Sequence, residues 1–257
     1  GVAGSGFATF IAQWLMGLVL FAACLRWARR QGARLRPRWG AIASSGKEGL
    51  PLFLRTLALR AGLVATVMAA AALGTEMLAS YQVVNAAWGF VLNILDSVAI
   101  AGQALVGARL GARDLSAARR LTQATMRAGL AAGFVVGAAF AALAVAAPQL
   151  FAESAEVQRL ASVGMLVTGV ALPLQGWMWA ADGILIGAGD FRYLAWTCAA
   201  ASAAYVVALV AVVCVIAPRL PDLAALCALV WVAFDFILMG VRAIANGLRI
   251  RTGRWMA

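Results

Sequence analysis

The chain has 257 residues, 64% of them hydrophobic and 12% charged, with a mean hydropathy of +0.91. A water-soluble domain is about 45–50% apolar and about 25% charged, so the composition excludes a soluble globular protein and points to lipid as the solvent. Net charge is +11 and there is no histidine, which removes His-based metal sites and Ser/His/Asp catalysis; the arginines report membrane orientation rather than nucleic acid.

An apolar run over 1–25 opens the chain, with neither an initiator Met nor a basic stretch ahead of it, so it does not read as a signal peptide. Arg26, Arg29, Arg30, Arg34, Arg36, Arg38 and Lys47 follow in a basic segment over 26–48. The second run, 49–73, closes at Gly74-Thr75-Glu76, and the third spans 77–107. After a polar loop from Arg109 to Arg120, the fourth run covers 121–147 and stops at Pro148. The fifth, 160–188, contains Pro173 and ends at the turn Gly189-Asp190-Phe191-Arg192. The sixth covers 193–217, Pro218 and Pro221 bracket a turn, and the seventh runs over 223–248 before a basic tail, 249–257. A spanning helix needs roughly 20 apolar residues and a barrel strand about 9–11, so these runs predict about seven transmembrane helices in an all-α integral membrane fold. The small residues of GAAFAALA and CAAASAA suit close helix packing in lipid.

Alternate connections differ in charge. The segments at 26–47, 109–120 and 192 and the tail carry fifteen basic residues, against Arg159 and Arg219 on the other side. The positive-inside rule makes the first group and the C-terminus cytoplasmic in a multi-pass protein of the cytoplasmic membrane. It also puts residue 1 outside, which suggests an upstream half.

Ionisable groups within apolar runs are costly and mark function by default. Arg55, Arg60, Asp96, Asp182, Asp235 and Arg242 are such groups. Arg55 and Asp182, near helix ends, and Arg242 are expected to snorkel or cap; Arg60 lies deeper. At about 100° per residue, Gln82, Asn85, Asn93, Asp96 and Gln103 fall within an arc of roughly 80° on the third helix. This stripe faces protein or a water-filled cavity, as interhelical glue or as a cavity lining. Asp96 reads as a proton or cation site, or as a partner of Arg60, and Asp235 has the same two readings. Trp88, Trp177, Trp179 and Trp196 read as interface anchors or substrate-facing rings. Cys24, Cys198, Cys214 and Cys227 read as buried small hydrophobes. No catalytic or metal-binding constellation is present.

The stretch from Ala79 to Arg120 resembles the multidrug and toxic compound extrusion (MATE) family, in its DinF-like branch. It carries Gly102 and Gln103 at a helix end, Gly107, Gly111, Ala112 and Asp114 in the loop, and Arg119 and Arg120 after it. Arg109 and Arg113 depart from the family's usual residues. ADGILIGAGDFRYL, with Asp182, Gly183, Gly187, Gly189, Asp190 and Arg192, is a second match, and GLPLFLRTLALR a third. The resemblance covers nearly all of 1–257. It implies a twelve-helix transporter of two six-helix lobes, with 1–25 as the last helix of the N-terminal lobe, 26–48 as the cytoplasmic inter-lobe loop and 49–248 as the complete C-terminal lobe. Its partner would then be a missing N-terminal lobe of the same protein, beside membrane lipid and small amphiphilic substrates. The implied function is export of amphiphilic drugs or toxic compounds, with no cofactor beyond a coupling proton or sodium ion. The branch's usual coupling acid lies on a first helix absent here. Two rivals stay open: a flippase of lipid-linked precursors from the same superfamily, with a basic cavity, and a non-transporting membrane scaffold, with none.

Overall fold

The computed structural model describes residues 2–32, 39–146, 148–150 and 152–256. All regular structure among them is helical. The helices are α1 (Val2–Arg30), α2 (Trp39–Leu73), α3 (Thr75–Gly111), α4 (Leu115–Ala146), α5 (Ala155–Gly187), α6 (Phe191–Ala211), α7 (Leu223–Val232) and α8 (Gly240–Thr252). A π-helical stretch, Val212–Ile216, extends α6, and another, Ala233–Met239, joins α7 to α8. With these joins the described residues form seven helical spans long and apolar enough to cross a membrane.

The helices overrun the apolar runs. The segment expected as an inter-lobe loop is helical through Arg30 and again from Trp39; Arg34, Arg36 and Arg38 lie outside the described residues. Hydropathy marks how deep a helix sits in lipid, whereas backbone hydrogen bonding continues into water. Pro51 and Pro173 lie inside α2 and α5 without ending them.

The chain divides into two compact units, Gly1–Lys47 and Glu48–Ala257. In the first, α1 leaves its apolar side chains open, with Phe7, Trp14 and Phe21 each more than half exposed. Such a surface is stable only against lipid or other protein.

In the second unit α5 is the hub, packing against α3, α4, α7 and α8. Lipid supplies no hydrophobic force between helices, so contact depends on small residues that let backbones approach. A Cβ on Gly176 would stand 2.2 Å from the Gly129 carbonyl oxygen, and one on Gly133 2.4 Å from that of Leu172. The glycine of GAAFAALA, Gly137, meets the Gly169 carbonyl in the same way. The α6–α8 side packs by rings instead. Tyr81 stacks on Trp231 at 5.6 Å, and Phe234 meets Trp88, Tyr205 and Trp231 edge-on at 5.2, 6.0 and 5.5 Å. Of the cysteines, Cys198 and Cys227 are buried as expected, but Cys24 and Cys214 are exposed, and all four are free. An apolar surface in lipid admits a thiol as readily as a core does.

Candidate functional site

A polar cleft opens between α2, α3, α5 and the α7–α8 span, all within the second unit. It consists of two adjoining cavities of about 370 and 230 Å³ that share Arg55, Leu92 and Trp179 as walls. Arg60, Asn85 and Trp88 line the larger, with Met239 and Arg242 at its base. Asp96, Gln103 and Asp182 line the smaller.

Asp182 is the centre of the cleft floor. The guanidinium groups of Arg55 and Arg242 both donate to its Oδ2, and the Asn246 amide donates to Oδ1. Arg242 also lies over the Trp179 ring, 5.1 Å from its centroid. Asp182 and Arg242 are 1% and 0% exposed, so the expectation that they snorkel or cap is wrong, and Arg55 is half-buried in the same ion cluster. They are deep in the packed second unit, where snorkelling has no free path and mutual pairing is the alternative to desolvation. Sequence reasoning missed Asn246 and the cluster as a whole. The available signal was the spacing of Arg242 and Asn246, four residues apart and so on one helix face.

A second buried carboxylate has a different setting. Asp235 is 0% exposed and lies in the π-helical stretch. Its Oδ1 accepts from the Gln175 amide at 2.6 Å, and Gln175 Oε1 accepts from the indole of Trp88 at 2.8 Å. Its Oδ2 is buried with the Thr168 hydroxyl facing the carboxylate, and neither has a further partner. Among the described residues no cation pairs with it. Phe234 on one side is buried in the ring cluster, and Phe236 on the other is exposed. Trp88 thus joins the wall of the larger cavity to a carboxylate beneath it.

The predicted stripe on α3 divides. Asn85, Asp96 and Gln103 reach the cleft. Gln82 and Asn93 are exposed, and Asn93 donates to the Gly89 carbonyl at 2.8 Å. The packed face of α3, from Met77 through Tyr81, Trp88 and Leu95 to Val106, lies roughly 100° from the stripe's centre at the helical period, so the stripe borders the packing surface. Asp96 is exposed and makes no ion pair with Arg60 among the described residues.

The loop-motif residues act as structural fittings at the bundle end. Gly107 and Gly187 sit at the crossing of α3 and α5, where a Cβ on Gly187 would be 2.4 Å from the Gln103 carbonyl oxygen; Gly111 has open space around it. Asp114 precedes α4 and caps it, Oδ1 accepting from the Ala117 N–H at 3.0 Å and from the Ser116 hydroxyl at 2.9 Å. These bonds hold its carboxyl below the usual carboxylate range. Gly189 takes a φ of 76° that other residues rarely adopt. Asp190 pairs with Arg249 at 2.6 Å, and Arg249 lies over Tyr193.

Seven spans long and apolar enough to cross a membrane, and in the second unit a cleft with charged side chains in its walls, are the features of a multi-pass membrane carrier. A MatE family profile matches residues 51–216, more than half of the chain, so the chain belongs to the MatE family, whose members are membrane carriers and not enzymes. It is 24% identical over 255 residues to Protein DETOXIFICATION 43 of Arabidopsis thaliana, covering 98% of this chain and 46% of that one. To the probable multidrug resistance protein NorM of Pasteurella multocida (strain Pm70) it is 22% identical over 176 residues, 66% of this chain and 38% of that one. The chain thus spans less than half the length of these relatives. Among solved structures, an outward-facing multidrug resistance MATE family transporter of the MOP superfamily superposes with a TM-score of 0.70 at 15% identity, over 80% of this chain and 45% of that one. A MOP superfamily transporter from Pyrococcus furiosus Vc1, whose reverse binding-pocket polarity suggests a different function, gives the same TM-score and identity over 80% and 44%.

Proposed function

We propose that this chain forms the cleft-bearing lobe of a cation-coupled antiporter that exports small amphiphilic compounds, with an N-terminal lobe completing the pathway. The DinF-like branch remains the reading of its loop motifs. One observation carries the coupling: Asp235 is a fully buried carboxylate flanked by the neutral Gln175 and Thr168, with no paired cation among the described residues, and tied through Gln175 to Trp88 in the cleft wall. An ion held there alters the hydrogen bonds that set Trp88, and with it the surface a substrate meets. Asp96, exposed at the cleft edge, is the lesser coupling candidate, and its place is to hold a polar or cationic group of the substrate.

The test is export of a fluorescent amphiphile in everted vesicles carrying the whole protein. Asp235→Asn is expected to abolish export driven by an imposed proton or sodium gradient, while Asp96→Asn reduces it in a substrate-dependent way. Full gradient-driven export by Asp235→Asn overturns the assignment. A flippase of lipid-linked precursors is the second reading. It is favoured by three arginines against two aspartates in the cleft lining, and would show as movement of an anionic lipid-linked head group with no drug export.

A further inference from the structure

We propose a binding site for an anionic phospholipid on the opposite side of α5 from the cleft, formed by α4, α5 and α8. Trp177 and Trp179 are two residues apart, so they leave α5 in nearly opposite directions at about 100° per residue. Trp179 lines the cleft; Trp177 lines a separate cavity of about 450 Å³ with Arg119, Thr122, Gln123 and Arg251. That cavity runs into an apolar groove of about 360 Å³, and Trp177, Gly247 and Arg251 belong to both. Leu174, Ile244 and Leu248 continue the groove away from the arginines. From Arg251 to Ala243 the groove follows α8 for about 12 Å at the helical rise.

Three features select the occupant. The first is charge. Arg249 has Asp190 as partner, whereas Arg119 and Arg251, on facing walls of one cavity, have no acidic partner among the described residues. The second is an unanswered hydroxyl. Thr56 and Thr66 return their hydroxyls to the carbonyls of Leu52 and Gly62, each at 2.9 Å. Thr122, 4% exposed, does not, and its Oγ1 has no partner. The oxygen itself is closed off in this structure, and a turn of the Thr122 side chain toward the cavity it lines would give the hydroxyl a phosphate oxygen as acceptor. The third is the amphipathic continuity of the site. A basic head region opens directly onto a groove whose Ile244 and Leu248 are more than half exposed, which suits a molecule with an anionic head and an acyl tail. Gly247 makes the join possible: a Cβ there would stand 2.4 Å from Cη2 of Trp177, so the indole lies directly on the α8 backbone as the floor between head and tail. Basic pockets between helices near the membrane surface are a recurrent form of anionic-lipid recognition.

The site is tested by reconstituting the chain in phosphatidylcholine vesicles and titrating brominated phosphatidylglycerol or brominated phosphatidylcholine. The tryptophan quenching lost in Trp177→Phe reports the site. Each arginine is expected to contribute about fivefold in preference, so phosphatidylglycerol should reach Trp177 at least about tenfold more effectively than phosphatidylcholine. Arg119→Gln with Arg251→Gln should remove that preference, and Thr122→Val should weaken it, with helix content unchanged. Equal quenching by the two lipids, a preference that survives in the double arginine variant, or its loss on adding inorganic phosphate at constant ionic strength would overturn the proposal.

Discussion

Replacing Asp182 with Asn removes the one anion between two guanidinium groups while keeping the side chain's shape. The two arginines are not equally affected. The side chain of Arg55 is 12% exposed and borders both cleft cavities, so it can turn toward water. Arg242 is 1% exposed and, beyond Asp182, has the neutral Met239 sulfur at 3.2 Å, the Cys198 thiol and the Trp179 ring, and no second carboxylate among the described residues. Its charge therefore stays buried and unanswered. Breaking a buried pair by removing one partner costs about 3–5 kcal/mol, and Arg242 places Asp182→Asn in that range. Asp190→Asn is the control, because the Asp190–Arg249 pair is 15% and 24% exposed at the edge of the bundle; its loss is expected to cost about 1 kcal/mol. The double variant Asp182→Asn/Arg242→Met removes the stranded charge and is expected to recover most of the stability, since buried ion pairs replaced by apolar groups are often neutral. Heating detergent-solubilised protein and following the soluble monodisperse fraction gives the order. Asp182→Asn no less stable than Asp190→Asn, or no recovery in the double variant, would refute this account of the cleft floor.

Gln175→Leu leaves the Trp88 indole N–H and both Asp235 oxygens without partners, at about 1–3 kcal/mol for each group stranded. The expected signs are a lower melting temperature and a changed Trp88 emission, measured against Trp88→Phe. Asp114→Ala removes the cap of α4 and is expected to lower stability slightly at neutral pH. Because the Asp114 carboxyl is held below its ordinary value, its contribution is present above the unfolded carboxylate value of about 4. It fades as pH falls through the lower folded value. Melting temperatures of wild type and Asp114→Ala should therefore converge on acidification below about pH 4, and a gap that stays constant would count against the cap.

The seven spans were legible because run length is a property of single segments. Three polar positions of the stripe, Asn85, Asp96 and Gln103, were legible as cleft residues for the same reason: a helix's period is written in its own sequence. What eluded the sequence were relations between helices. Asp182 meets Arg55 and Arg242 from residues 127 and 60 positions away, and no local pattern on α5 records that. The short distance from Arg242 to the helix end implies a route to water, but Trp179 and the neighbouring helices close it. The setting of Asp235 is equally non-local, because its partners, Gln175 and Trp88, sit on two other helices.

The last span contributes to both buried carboxylate systems, Asp235 itself to one and the partners of Asp182 to the other, and the wide turn Ala233–Met239 lies between them. Asp235 belongs to that turn, while Arg242 and Asn246 follow it on α8. In a π-helical turn each N–H reaches back five residues rather than four, so the segment holds spare backbone. Handing those bonds to the four-back carbonyls would rotate everything beyond the turn relative to everything before it. The α3–α4–α5 side, locked glycine to carbonyl, has no such slack. The unit is thus part clamp and part swivel, and the swivel in its last span sits between the Asp235 carboxylate and the charges that Arg242 already meets.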